Sequence, residues 1–274
     1  MTENKTLPSL NRLSIMMAMV TLALGFTYIL PTATEPTLTN FLGFVINVKF
    51  DAYSLVPVFI ALLTFFGTLW VYIDHPNVRN SKLKIWKLTS GVILPVFTML
   101  VLSITLREMS RGSNWWVVYT LGTFLFGLVV VAEYNELNVS QQHPFATIGL
   151  IGLSHGLFLI LTIVLRTSDL RLYLLLPIMV IASAFVSVRT IFLRLNGIEK
   201  NEYAIVICLI MVLLTSALYY LFITPIQYGL LLTGALYATI SFACGLINGA
   251  HKRDLLIEPL AMLAVTLVMA LIVG

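Results

Sequence analysis

Nine stretches of roughly twenty apolar residues, each closed by polar punctuation, dominate this sequence. A hydrocarbon layer about 30 Å thick takes roughly twenty helical residues at about 1.5 Å each, so every stretch is long enough to cross it. The predicted spans are 12–30, 52–73, 85–106, 115–134, 145–165, 172–192, 204–222, 228–249 and 255–274. Only 10% of the 274 residues are charged and 59% are hydrophobic, whereas an ordinary soluble domain is about 25% charged. A water-facing surface for this chain would need many more charges, so most of its surface must face lipid. The expected fold class is an all-α polytopic transmembrane helical bundle of nine helices, or eight if the first span or the last, interrupted by Pro259, fails. Short loops leave no room for a second domain, so 1–274 reads as one integral membrane domain. Its partners are the lipid bilayer and other membrane subunits; the net charge of +4 calls for no nucleic acid.

The first span follows a short polar tail, 1–11, and its apolar run exceeds the usual signal-peptide core of about 7–15 residues, so a retained anchor is expected. Counting Lys and Arg on alternate sides puts Lys5, Arg12, Arg79, Lys82, Lys84, Lys87, Arg189, Arg194, Lys200, Lys252 and Arg253 on one face. Lys49, Arg107, Arg111, Arg166 and Arg171 fall on the other, eleven against five. That bias predicts an inner (plasma) membrane protein with a cytoplasmic N-terminus and, with nine crossings, an outside C-terminus. The run "RNSKLKIWK" (Arg79 to Lys87) reads as a topology determinant that also suits anionic headgroups. The longest outside loop, 31–51, contains "TNFLGFVINVKFD" and is expected to lie as an extended or interfacial segment. Trp70, Tyr72, Trp86, Trp115, Trp116, Tyr134, Tyr173, Tyr219 and Tyr220 sit near span ends, as interfacial aromatic belts do. Pro57, Pro95 and Pro177 each remove a backbone hydrogen bond inside a span. Cys208 and Cys244 read as packing residues.

Chemistry in a bilayer needs polar groups at depth, and each one carries an insertion cost of about 2.5–3.5 kcal/mol when charged. His155, in "GLIGLSHGLFLI" (Gly149 to Ile160), is the deepest ionisable side chain. Gly149, Gly152 and Gly156 form an adjoining small stripe, and Gly152 and Gly156 match the GxxxG spacing that lets helices approach closely. The expectation is a tight seam with His155 as a polar tie to a neighbour such as Ser183 or Ser187. The competing roles are axial ligation of a chlorin or haem and a proton relay. A six-coordinate haem would need a second ligand at depth, and His75, His143 and His251 all map to loops. No other cofactor is expected. Those three loop histidines, with Asp74 and Glu258, fall on one face, but no HExxH-type spacing supports a metal site. Glu133 and Arg189 lie at comparable depth in the fourth and sixth spans. They pair and lock the helices, line a vestibule, or snorkel to the interface. All seven lysines lie outside or at the ends of spans, which excludes a mid-membrane retinal Schiff base. Ser154 and His155 are adjacent, so they point about 100° apart and form no dyad. No catalytic residue emerges.

Four segments, "WVYIDHP" (Trp70 to Pro76), "VVVAEYNEL" (Val129 to Leu137), "LRLYLLLPIMVIASAFVSVRTIFLRL" (Leu170 to Leu195) and "IQYGLLLTGALYATISFACG" (Ile226 to Gly245), resemble an uncharacterised family of bacterial multi-spanning membrane proteins. The resemblance covers the chain from about residue 52 onward and implies a helical membrane body with no assigned activity. The functional expectation is a non-enzymatic accessory or scaffold subunit of a membrane complex, holding a lipid or pigment. The alternative is a small permease with a polar path near His155, Glu133 and Arg189.

The topology is directly checkable. A reporter active only outside the membrane is expected to be active when fused after Gly274 and inactive when fused after Arg12; the reverse pattern would invert the charge-based orientation.

Overall fold

The computed structural model describes residues 8–29, 38–41, 44–47, 52–73, 75, 78, 85–136, 144–168, 170–195, 197, 200–249 and 252–273. Among them are nine membrane-length helices: α1 (Leu10–Ile29), α2 (Ala52–Tyr72), α3 (Ile85–Glu108), α4 (Ser113–Glu136), α5 (Pro144–Thr167), α6 (Leu172–Arg194), α7 (Asn201–Tyr219), α8 (Pro225–Ile247) and α9 (Lys252–Val273). The loop after α1 carries two short antiparallel strands, β1 (Leu38–Phe41) and β2 (Phe44–Asn47), paired from Leu38 opposite Asn47 to Phe41 opposite Phe44. The sequence suggested an extended or interfacial segment; the described residues are extended and paired by cross-strand hydrogen bonding.

Local chemistry explains where the helices begin. Thr224 accepts from the Gln227 amide while the Gln227 side chain accepts from the Thr224 amide, and Pro225 takes the first helical position. This capping box starts α8 three residues before the hydropathy suggests. Helix α5 also opens on a proline, Pro144. At the other end of α6, Gly197 adopts φ 87°, and its amide donates to the Phe192 carbonyl at 2.9 Å, a left-handed closure that glycine makes without strain. Pro57, Pro95, Pro177 and Pro259 all lie within continuous helices, so Pro259 does not interrupt the last span.

Helix α3 is the shared wall of the bundle, with 67% of its apolar window buried. Leu94, Phe97 and Val101 on one side join a core built from α4 to α8. Val92, Val96, Met99 and Leu106 on the other join a core with α1, α2 and α4. A helix apolar all round is what two opposite cores require. The outermost helix is α9, only 11% buried, which lies along α8 and receives a hydrogen bond from Gln227 Nε2 to the Ala270 carbonyl at 3.1 Å.

Two expectations about direction change. Trp115, Tyr72 and Tyr134 are buried rather than belted. The Trp115 indole donates to the Leu106 carbonyl at 3.1 Å and its ring stacks on Tyr119. Trp70, Trp116, Tyr173 and Tyr220 are exposed and fit the belt. Position near a helix end sets depth, whereas the face of the helix decides exposure. The glycines of the expected seam also differ: a β-carbon on Gly149, Gly152 or Gly156 would meet nothing within 4 Å. Close approach occurs instead at Gly229, beside Thr162 and Leu159, and at Gly234, where a β-carbon would lie 2.7 Å from Thr266 Cβ. GxxxG spacing permits contact, but the stripe at 149–156 turns away from the core.

Thermal unfolding in detergent separates the two kinds of glycine. Gly152→Ala is expected to be neutral or stabilising by up to about 1 kcal/mol. Gly234→Ala should destabilise by about 1–3 kcal/mol, and combining it with Thr266→Gly should cost less than the two single changes added together.

Candidate functional site

Glu133 on α4 and Arg189 on α6 meet in the interior. Arg189 Nε donates to Glu133 Oε1 at 2.9 Å, and Nη2 donates to the second carboxylate oxygen, giving a bidentate pair. Nη1 donates to Ser90 Oγ on α3 at 3.2 Å. Glu133 is 0% and Arg189 2% exposed, so neither side chain snorkels to the interface. Planar guanidinium geometry suits a carboxylate held edge-on. Taking each ion out of water costs several kcal/mol, which the attraction within the pair and the extra hydrogen bond offset. The arrangement therefore fixes three helices in register more than it adds net stability. Around it, buried Tyr72 donates to the Val130 carbonyl at 3.3 Å, and Tyr134 lies between Tyr72 and His75, with ring centroids at 6.1 and 4.7 Å.

His155, 7% exposed, has a different partner from the one expected. Its Nδ1 lies 2.9 Å from the Ile151 carbonyl one turn back on α5. A carbonyl only accepts, so Nδ1 carries the proton and a neutral ring keeps its lone pair on Nε2. Nε2 is buried with no hydrogen-bond partner, and the ring packs edge-on against Tyr237, centroids 5.3 Å apart. Ser183 donates to Val180 on its own helix at 3.0 Å. The tie across a seam is thus replaced by a bond within α5 and a ring contact to α8. Axial ligation would need the Nε2 edge open to a macrocycle, and here that nitrogen is buried. Gly152 and Gly156 bring no helix close to it.

A second polar cluster, not anticipated as a unit, surrounds Arg194 at the end of α6. Nη1 donates to Ser241 Oγ at 2.8 Å; Nη2 donates to the Tyr237 hydroxyl at 2.6 Å and to Glu258 Oε1 at 3.0 Å. The Tyr237 hydroxyl in turn donates to Glu258 Oε1 at 2.8 Å. The Glu258 side chain is 51% exposed and that of Arg194 19%, so this network opens outward while the Glu133 pair is sealed. Tyr237 and Ser241, four residues apart, were the available signal, since that spacing puts two hydroxyls on one helix face. Glu258 therefore serves an ion pair with Arg194. Of the loop metal candidates, Asp74, His143 and His251 lie outside the described residues, and His75 is buried against Tyr134. Among the described residues no three metal-ligating side chains converge.

Comparison with known proteins gives one match. The family described as a protein of unknown function, DUF5656, matches residues 33–273, beginning ahead of the residue-52 boundary that the resemblance implied. No curated protein and no solved structure matches the chain.

A double-mutant cycle tests the buried pair. Arg189→Met leaves Glu133 without its cation and should destabilise by about 3–5 kcal/mol, while Glu133→Leu with Arg189→Met should recover most of that loss. Additive losses in thermal unfolding would contradict a coupled pair.

Proposed function

We propose that this chain, which belongs to the DUF5656 family, is a non-enzymatic integral membrane protein acting as an accessory or scaffold subunit of a membrane complex. The observation that supports this reading is the burial of its paired charges: Arg189 holds both carboxylate oxygens of Glu133 and bonds Ser90, and both charged side chains are enclosed by the bundle. A transport path needs polar groups that water or cargo can reach. Neither of the two grooves described is lined by Glu133, Arg189 or His155. The apolar windows of α1 and α4 are each only 22% buried and that of α9 11%, which leaves wide helix faces for lipid and for neighbouring helices. A permease remains the second reading, favoured by the outward-opening Arg194 and Glu258 network beside His155.

Affinity capture of the full chain from its native membrane in mild detergent, followed by native mass measurement, decides the first reading. A membrane partner held at fixed stoichiometry is expected; a lone chain across several mild detergents overturns the subunit assignment.

A further inference from the structure

An apolar slot of about 270 Å³ opens between α2 and α6, with α3 as its back wall. Phe97, Leu100, Ile104 and Arg107 line it from α3. Their steps of three and four residues put them in a single stripe, and the half-buried Leu100, Ile104 and Arg107 give an otherwise buried helix one edge toward the bilayer, while buried Phe97 closes the slot from inside. Ala182 on α6 keeps the slot open by its small size, and the edge-on contact of Phe97 with Phe185, centroids 6.1 Å apart, marks its inner end. From Phe97 to Arg107 a helix rises about 15 Å, half of a hydrocarbon core about 30 Å thick. The slot therefore spans one leaflet, the outer one on the Lys and Arg count.

Its mouth carries both signs of charge. Arg107 and Glu108 line it with side chains 32% and 38% exposed, Arg107 Nε 3.8 Å from Glu108 Oε1, and Ser168 lies on the same rim. A cation and an anion side by side above a hydrocarbon groove complement a headgroup with a phosphate and a neighbouring ammonium. We propose that this slot binds one acyl chain of an aminophospholipid, with Arg107 donating to the phosphate and Glu108 accepting from the primary ammonium. A choline head offers Glu108 no N–H donor, and a glycerol head offers only neutral hydroxyls, which make weaker bonds to a carboxylate than an ammonium does. A guanidinium matches phosphate oxygens through paired N–H donors. This site is independent of whether the chain serves as a subunit.

Native mass spectrometry of the purified full chain, titrated separately with palmitoyl-oleoyl phosphatidylethanolamine, phosphatidylcholine and phosphatidylglycerol, tests it. The ethanolamine lipid is expected to be retained about tenfold better than the other two. Glu108→Gln should bring the ethanolamine and choline lipids to near parity, and Arg107→Gln should weaken all three. Ala182→Phe should block retention by filling the slot; Leu100→Trp, at its half-buried edge, makes the same test if the first variant does not fold. Equal retention of the three lipids by the unaltered chain, or a preference that survives Glu108→Gln, overturns the assignment.

Discussion

A guanidinium and a carboxylate enter hydrocarbon together far more cheaply than apart, and the order of this bundle follows from that. Glu133 and Arg189 lie on helices that are not consecutive, and their bidentate geometry is met at only one relative depth of α4 and α6. Ser90 adds α3 to the same contact. Apolar side chains slide past one another at little cost in lipid, where the medium is as apolar as the helix surface. A fixed polar contact supplies the depth reference that the surrounding leucines and valines lack. Once α3 is placed, its two apolar sides define the two cores and the remaining helices pack onto them.

Much of this was legible in the chain because membrane-length helices are specified by little more than length and hydropathy. All nine spans appear with shifts of a few residues, and two of the shifted starts carry a local signal, Pro144 and the Thr224 to Gln227 capping box. Direction was harder to read. Hydropathy reports that Trp115 and Tyr134 lie near helix ends, but which face meets a neighbour is a property of the assembled bundle. The same limit hid the Arg194 cluster, whose members come from α6, α8 and α9 and share no stretch of sequence.

The stripe at Gly149, Gly152 and Gly156 shows the limit most clearly. Small residues at a four-residue spacing allow close packing, yet close approach is found at other glycines, among them Gly229 and Gly234, where α8 meets α5 and α9. There a β-carbon would collide; at Gly152 it would point into open space. His155 keeps a local bond to Ile151 and an orphan nitrogen, a polar group the sequence located in depth but not in its surroundings.

Helix α6 carries both arginines, five residues apart, so they project about 140° from one another around its axis. One is bound to α4 and α3, the other to α8 and α9. Turning α6 either way about its own axis strains both attachments, so the helix behaves as a keyed shaft. Breathing of the bundle is then confined to elements that slide or tilt around α6, and a hinge in this molecule belongs at its periphery.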